Sequence, residues 1–413
     1  MTTSWLETPP RASWPDSEGG QANPFVRYRK LLWSWHRWID AGLDDNDFVA
    51  MVHALDDSVK EVAGTGFVTT PARWVDSLGE DSQAPVFAKD ETGNVGGSHK
   101  ARHLMGLLLH LAVDAVAVDA AAVDAVADNA GATTGANGNA RLAISSCGNA
   151  ALGAATVARA ARRPIDVFIP TWADPKVVAV LEALEATIHV CERQASEPGD
   201  PCMLRFQEAV AGGALPFGVQ ATENLWALDG GRTIGWELAD QLGAGSADHV
   251  LVQVGGGALL TSCAIGLLEG TALGPLERVP RVWAVQSEGC APFDRAWSRI
   301  PAAASVDERL RLAEQHADRL MTPWPDPSSS ATGILDDVTY DWLGVARGLL
   351  ETGGSSVLAT EDDIESANQR VRSAGCNADH TGSAGYAGLL AALREGAVSP
   401  TDKTAVLITG IRR

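Results

Sequence analysis

The most informative stretch of the sequence is HVLVQVGGGALL, residues 249–260. Its first six residues include three valines and a leucine, a composition that favours a buried strand. Three glycines then separate this strand from an apolar run that reads as a helix. A strand that leads through a glycine loop into a helix is typical of α/β proteins with parallel sheets.

Short β-branched runs of the same kind recur along the chain and alternate with helical patterns. The first begins at Val86, and the other strand candidates are 141–145, 165–169, 187–191, 249–254, 281–286 and 404–408. Their spacing leaves room for crossover helices, which predicts twisted, mostly parallel sheets with helices on both faces. Ligands in such sheets bind at the loops that follow the carboxyl ends of the strands.

Composition and charge exclude several classes of protein. The chain has 413 residues, 46% of them hydrophobic, which is enough for two or three packed domains. Its 52 acidic and 32 basic residues give a net charge of −20. Such a charge repels a phosphate backbone, so we expect no nucleic-acid partner.

Targeting signals are also missing from the sequence. The first residues show no basic segment followed by an apolar run, and the apolar stretch that begins at Leu104 is interrupted by His110 and Asp114. We therefore expect neither a signal peptide nor a membrane span. The six cysteines form no C-x-x-C pair, which fits a reducing compartment. The sequence predicts a cytoplasmic protein.

Three segments outside the strand pattern differ in composition. Residues 1–24 are rich in proline, serine and acids, and we expect a poorly ordered leader. Residues 25–60 carry apolar side chains at helical spacing, which predicts two amphipathic helices. The biased tract 111–140 is interpreted as a helix extension followed by a surface insertion, with an active-site lid as the alternative.

Two loops that precede helices carry polar groups suited to chemistry. The segment GGSHK, residues 96–100, follows a strand and opens a helix. A lysine at a helix start is disfavoured as an ammonium, and a neutral amine there could form an imine with a carbonyl. The segment SSCGN, residues 145–149, offers hydroxyls and backbone N–H groups to a carboxylate. A solvated lysine and a simple helix cap are the respective alternatives.

Two further loops follow later strands. The glycines of residues 255–257, with Ala258, would let the backbone approach a phosphate, although a plain glycine turn is common. Thr409 follows the final strand, where its neutral hydroxyl could hydrogen-bond to a ring nitrogen, although a simple chain end would explain it equally well. No Walker lysine follows the glycines, which argues against a nucleotide loop.

Taken together, the order and setting of these four loops resemble the fold type II family of pyridoxal-phosphate enzymes. That family includes threonine synthase, threonine and serine dehydratases, cysteine synthase and the tryptophan synthase beta subunit. The resemblance covers roughly residues 60 to 410. It is supported by the segments GTGFVTTPA (64–72), FAKDETGN (87–94), GGRTIGWELADQLG (230–243), AVQSEGCAPFDRAW (284–297) and SSATGI (329–334).

The resemblance assigns roles to residues of this chain. It implies pyridoxal 5′-phosphate as the cofactor, with Lys100 as the Schiff-base lysine and proton shuttle. It implies a substrate carboxylate site at Ser145, Ser146 and Cys147. The cofactor contacts that it implies are Asn149 to the ring hydroxyl, Thr409 to the pyridine nitrogen, and Gly255, Gly256, Gly257 and Ala258 to the phosphate. His99 resembles a histidine that approaches the phosphate in tryptophan synthase beta, but simple packing is an equal alternative.

Domain organisation also follows from the resemblance. It implies a smaller, mobile domain over residues 85–215 and a larger domain over residues 216–413. The N-terminal helices of 25–84 are expected to belong to the larger domain. The cofactor would then lie in the cleft between the domains. A homodimer is implied as well, and the tryptophan-rich helices of 25–60 are our candidate for part of the contact.

Departures from the family pattern favour one reaction over its relatives. Ala101 stands where threonine and cysteine synthases usually carry an aspartate, and no second basic cluster is found for a substrate phosphate. The preferred function is therefore an α,β-elimination on a small hydroxy-amino acid such as serine or threonine. A synthase that performs β- or γ-replacement and a cofactor-binding protein without turnover are the alternatives. No metal site is expected, because Glu288 and Asp294 are better interpreted as ordinary surface or paired carboxylates.

Overall fold

The computed structural model describes residues 4–16, 22–127, 140–194 and 199–413, so residues 128–139 of the biased tract lie outside the described residues. The chain divides into two compact units. The first unit comprises Met1–Glu7, Thr69–His99 and Gln220–Arg413, and the second comprises Thr8–Val68 and Lys100–Val219. In the described residues, no helix combines the length and apolar character needed to cross a membrane.

The strands, numbered in chain order, are β1 (Ala72–Val75), β2 (Val86–Asp90), β3 (Leu142–Ser145), β4 (Ile165–Pro170), β5 (Thr187–Cys191), β6 (Leu215–Pro216), β7 (His249–Gln253), β8 (Arg281–Ser287), β9 (Ser355–Ala359) and β10 (Thr404–Ile408). All seven stretches chosen from the sequence coincide with strands. The sequence does not predict the strands β1, β6 and β9.

The α-helices of the second unit are α1 (Pro24–Arg27), α2 (Trp33–Asp40), α3 (Asp45–Ala63), α4 (Lys100–Ala127), α5 (Asn149–Ala160), α6 (Pro175–Ala183) and α7 (Pro201–Ala211). Those of the first unit are α8 (Ala227–Leu242), α9 (Ala258–Ala272), α10 (Pro292–Trp297), α11 (Val306–Gln315), α12 (Ala317–Leu320), α13 (Trp342–Thr352), α14 (Glu361–Ser373) and α15 (His380–Arg394). Short 3₁₀ turns occupy Arg29–Leu31, Asp76–Leu78, Val95–Gly97, Gly243–Gly245 and Thr332–Ile334.

The first unit is built on a six-stranded sheet in the order β1-β2-β10-β7-β8-β9. All neighbours are parallel except β1 and β2, which form an antiparallel edge pair. The helix α15 packs against β7, β8, β9 and β10, and a core of buried aliphatic side chains fills the space between them. Parallel register brings the carboxyl ends of β7 and β10 to one edge of this sheet.

The second unit contains a four-stranded parallel sheet in the order β5-β4-β3-β6. The helix α7 packs on β3, β4 and β5, and Asp200 caps it by accepting the N–H of Cys202 at 2.9 Å. The alanine-rich helix α5 contacts α3, α4 and α6. This unit confirms the mixed α/β architecture with parallel sheets that the sequence predicts.

The observed grouping of segments differs from the domains implied by the resemblance. Residues 25–68 group with Lys100–Val219, because α2 packs on α4 and α3 packs on α5, whereas the resemblance joined them to the larger domain. Residues 85–99 group with the first unit, because β2 pairs with β1 and β10. Pairing between strands about 320 positions apart leaves no local signal in the sequence.

Part of the expected leader is packed rather than loose. Trp5 and Leu6 are buried, and the guanidinium of Arg347 lies 4.7 Å from the centre of the Trp5 ring. Arg347 belongs to α13, so these first residues complete the surface of that helix. The apolar character of Trp5 and Leu6 is the physical reason, and it was outweighed in the sequence by the surrounding prolines and acids.

Candidate active site

The loop after β7 is held by close packing at its glycines. Gly257 adopts a φ of 106°, a left-handed conformation that glycine tolerates, and it caps the start of α9. A Cβ on Gly257 would lie 2.8 Å from Val345, and one on Gly255 would lie 2.5 Å from the Asp336 carboxylate. Glycine at these two positions is therefore required by the neighbouring segment 333–345.

The N–H groups of this loop remain available to an anion. The carbonyl of Gly256 accepts the N–H of Asp341 at 2.8 Å, but within the described ranges no acceptor is found for the N–H groups of residues 255–257. These groups precede the positive end of α9. Such an arrangement fits a phosphate group, as the resemblance implies.

Two carboxylates near this loop were not foreseen from the sequence. Asp341 is buried and accepts the N–H groups of Ala221 (3.0 Å) and Thr222 (2.9 Å), yet burial raises its pKa to about 6. Burial, and then the charge of Asp341, raises the pKa of Glu223 to about 7. Asp341 lies 85 positions after Gly256 and Glu223 lies 33 positions before it, so nothing in the local sequence connects them to the loop.

Thr409 lies at the carboxyl edge of the same sheet, immediately after β10. Its side chain is buried, and its Oγ1 accepts a hydrogen bond from Nε2 of Gln253 at 2.6 Å. Its carbonyl accepts the N–H of His99 at 3.3 Å, and its own N–H donates to Gly382 at 3.1 Å. The structure thus brings Thr409 next to the residue that precedes Lys100. Gln253 was missed, although a glutamine inside an apolar strand before the glycine loop is a visible signal.

The segment between β2 and Lys100 is anchored by a buried polar network. Lys89 is completely buried and donates to Glu237 (2.5 Å), to the Thr70 carbonyl (2.9 Å) and to Gln241 (2.9 Å). Glu91 accepts from the Thr70 hydroxyl, and from the Asn94 side chain at 2.7 Å. These bonds fix the turn that ends at His99. The segments that contain Lys89, Glu91 and Glu237 support the family resemblance, but the sequence predicts no role for these three residues.

The second unit holds the other group of candidate residues. Lys100 is the first residue of α4, and the loop 145–149 joins β3 to α5. Burial raises the pKa of the Cys147 thiol, and the positive charge of Lys100 opposes this shift, so the two side chains interact electrostatically. A neutral, half-buried thiol is consistent with the inert role expected for Cys147.

Ser145, Ser146 and Asn149 occupy the transition from strand to helix. Ser145 ends β3, the N–H of Ser146 donates to the Phe168 carbonyl at 3.2 Å, and Asn149 begins α5. All three side chains are half-buried. The first turn of a helix has N–H groups without helical acceptors, which suits a carboxylate. The local geometry is thus compatible with the carboxylate seat implied by the resemblance.

Metal ligands are not grouped in the part of the chain that the structure describes. No three histidine, cysteine or carboxylate side chains there could hold a metal ion. Asp294, which was considered for a cation site, accepts the Ser356 hydroxyl at 2.6 Å. Each unit by itself offers groups that suit part of pyridoxal phosphate: the first has the glycine loop at a helix start and the oriented Thr409 hydroxyl, and the second has the Lys100 amine at the start of α4.

Comparison with known proteins points the same way. A family model described as "Pyridoxal-phosphate dependent enzyme" matches residues 65–410. The chain is 27% identical over 187 residues to a threonine synthase of Methanosarcina acetivorans, a match that covers 45% of this chain and 42% of that protein. The matched region is therefore less than half the length of this curated relative.

Solved structures resemble the chain over most of its length. The processed form of threonine deaminase isoform 2 from Solanum lycopersicum gives a TM-score of 0.62 at 17% identity and covers 90% of this chain and 91% of that one. Maize serine racemase gives a TM-score of 0.59 at 17% identity, covering 87% and 93% of the two chains. At this level of identity the likeness shows a shared fold.

Proposed function

The chain belongs to the family of pyridoxal-phosphate-dependent enzymes, and we propose that it is a lyase that eliminates the β-substituent of a small hydroxy-amino acid such as serine or threonine. The cofactor is pyridoxal 5′-phosphate, as the sequence predicts. The products would be a 2-oxo acid and ammonia. The observation that carries the proposal is the neutral, hydrogen-bonded hydroxyl of Thr409 at the sheet edge assigned to the cofactor ring.

Each assigned residue has a defined task in this proposal. Bound pyridoxal phosphate supplies an electron sink for negative charge at the α-carbon of an amino acid. Lys100 would hold the cofactor covalently through Nζ, and the same atom would take the α-proton of the substrate. Ser145, Ser146 and the first turn of α5 bind the substrate carboxylate. Asn149 orients the ring hydroxyl.

Thr409 supports elimination rather than transamination. A carboxylate beside a pyridine nitrogen favours the protonated ring, whereas a hydroxyl leaves the nitrogen largely unprotonated and weakens the electron sink. A weaker sink favours prompt loss of a β-leaving group over reprotonation of the cofactor. The backbone hydrogen bond from the His99 N–H to the Thr409 carbonyl holds Thr409 close in space to the segment that leads into Lys100.

The absence of a second basic cluster from the sequence supports a substrate without a phosphate group. Serine and threonine carry no such group.

Product analysis tests this proposal. The purified protein, loaded with pyridoxal phosphate, would be incubated separately with L-serine, L-threonine and O-phosphohomoserine. We expect release of a 2-oxo acid and ammonia from serine or threonine, and little inorganic phosphate from O-phosphohomoserine. Release of phosphate with formation of threonine, and no 2-oxo acid, would contradict the lyase assignment. Lys176→Ala, an exposed lysine on α6, is the control for Lys100→Ala, which should abolish turnover.

A replacement synthase is the second candidate, and the sequence match to a threonine synthase favours it. In that case the same Lys100 would move protons at two carbons, and water or another nucleophile would capture the substrate. Phosphate release from O-phosphohomoserine or acetate release from O-acetylserine identifies this class. A protein that binds the cofactor but releases no product from any of these amino acids would instead be a binding protein without turnover.

Assembly and location remain proposals as well. We propose a homodimer in the cytoplasm; all six cysteines are free thiols, which agrees with a reducing compartment. Within the second unit, Trp38 is buried and Trp35 donates to Asp45 at 2.8 Å, so these tryptophans have partners inside the unit. Light scattering should give twice the mass of the 43.2 kDa chain, and a monomeric mass would remove the dimer proposal.

A further inference from the structure

We propose that Gln253 is a positioning residue that fixes the direction of the Thr409 hydroxyl, so that the hydroxyl donates its hydrogen to the cofactor ring nitrogen and holds that nitrogen unprotonated. The inference rests on the proposed function, since it needs a pyridine ring beside Thr409. It assigns a role to a residue that the family resemblance left without one. Gln253, Thr409 and their hydrogen-bond partners all belong to the first unit.

The orientation of the Gln253 amide is set by its neighbours. Nε2 lies 3.1 Å from the Thr381 carbonyl, 3.3 Å from the Gly382 carbonyl and 2.6 Å from Oγ1 of Thr409. Carbonyl oxygens only accept hydrogen bonds, so the amide nitrogen must face them. One N–H then points at the two carbonyls and the other at Thr409.

The oxygen of the same amide lies on the opposite side, next to α15. Oε1 of Gln253 is buried and has no hydrogen-bond partner among the described residues. A Cβ on Gly385 would lie 3.0 Å from this oxygen, so a glycine of α15 makes room for it. Leaving a buried acceptor unpaired costs free energy, so the hydrogen bonds on the nitrogen side hold the amide in this orientation.

The hydrogen bonds of Thr409 follow from this orientation. Its Oγ1 already accepts one N–H from Gln253, and in the described part of the chain no acceptor is found for its own hydroxyl hydrogen. An unprotonated ring nitrogen would accept that hydrogen and satisfy the group. A protonated ring nitrogen would instead place a second donor on Oγ1 and leave the buried hydroxyl hydrogen unpaired. The network therefore favours the unprotonated ring.

Two substitutions separate this role from simple packing. Gln253→Glu replaces the donor with an acceptor, so the Thr409 hydroxyl would turn toward residue 253 and present its lone pairs to the ring. Gln253→Leu has a side chain one atom shorter and removes both polar atoms, which leaves the hydroxyl free to adopt either direction. Gln315→Glu, an exposed position at the end of α11, is the control for the added charge.

The test is the ¹⁵N chemical shift of cofactor labelled at the ring nitrogen and bound to each protein. We expect an unprotonated shift for the wild-type protein and for Gln315→Glu, a move toward the protonated shift for Gln253→Glu, and an intermediate value for Gln253→Leu. The thermal unfolding midpoint of each variant shows whether that variant is folded. If Gln253→Glu does not fold, the comparison of Gln253→Leu with the wild-type protein tests the inference.

Three results would overturn the inference. A protonated ring in the wild-type protein would show that Thr409 does not donate, and identical shifts in the wild type and in every folded Gln253 variant would show that Gln253 does not control it. In both cases a cofactor adduct on Lys100, detected by mass after borohydride reduction, would leave the cofactor assignment intact. Absence of any adduct would overturn the inference and the proposed function together.

Discussion

Glu223 is the single residue whose ionisation should be most visible in the stability of the protein. Burial raises its pKa from 4.5 to about 7, so between these values the folded state binds a proton that the unfolded state has released. The stabilisation is complete below pH 4.5 and is lost as the pH rises through 7. The carboxylate is therefore unfavourable above neutral pH.

The substitution Glu223→Gln should remove this pH dependence. We expect the variant to gain stability relative to the wild-type protein on going from pH 4.5 to pH 8, by about 3 kcal/mol, since one unit of pKa shift corresponds to about 1.4 kcal/mol. Urea denaturation at both pH values measures the difference. Glu182→Gln, on the exposed side of α6, should show no comparable change. Equal pH profiles for Glu223→Gln and the wild type would contradict the raised pKa.

At the scale of secondary-structure elements, the buried pair of Lys89 and Glu237 ties β2 to α8. Both side chains are fully buried and their charged atoms lie 2.5 Å apart. Removing one charge leaves the other buried without a partner, which typically costs about 3–5 kcal/mol. The same pair holds the strand that leads into the segment before Lys100, so its loss should also disturb cofactor binding.

Glu237→Gln is the corresponding test. It should lower the free energy of unfolding by about 3 kcal/mol in urea denaturation. Glu185→Gln breaks the exposed pair between Arg159 and Glu185 and should cost less than about 1 kcal/mol. If both variants lost the same small amount, the buried network could not be the anchor described above.

The contact between α8 and α9 depends on two facing glycines. A Cβ on Gly235 would lie 2.9 Å from the Cys263 carbonyl oxygen and 2.9 Å from Cα of Gly266, and neither backbone atom can move aside easily. Gly235→Ala should therefore destabilise the first unit by about 1–3 kcal/mol in thermal or urea unfolding. Gly245→Ala, where no atom lies within 4 Å of the added Cβ, should be nearly neutral. A neutral Gly235→Ala would show that the helices are not in close contact.

At the scale of the whole molecule, the net charge of −20 should affect stability. Repulsion among acidic side chains opposes the compact state, and salt screens it over about 8 Å at physiological ionic strength. We expect the thermal unfolding midpoint to rise between 0.02 and roughly 0.3 M sodium chloride, which scanning calorimetry can measure. A midpoint that falls over this range would indicate that favourable ion pairs dominate instead.

Most of the architecture could be predicted because the β-branched strands have strong local signals. The stretch 404–408, for example, is read directly from TAVLI and becomes the fully buried β10. The strand β9, SSVLA, was missed because its two serines weaken the pattern, and its identity depends on pairing with β8. The antiparallel β1 was missed for the same reason, since it exists through its register with β2.

The candidate site was only partly predictable. Lys100, Thr409 and the loops 145–149 and 255–258 stand at strand ends or helix starts, which sequence patterns reveal. Gln253 and Glu223 act through neighbours that are distant in the chain, such as Thr409 and Asp341. Tertiary contacts of this kind leave no periodicity or motif. The grouping of 25–68 with the second unit was hidden for the same reason.

The most direct measurement for the central claim is peptide mapping of the protein after borohydride reduction in the presence of pyridoxal phosphate. We expect a yellow protein before reduction and, after digestion, one pyridoxyl adduct on the peptide that contains Lys100. Lys100→Ala should lose both the colour and the adduct, whereas Lys176→Ala should keep them. A colourless protein, or an adduct confined to other lysines, would contradict the account.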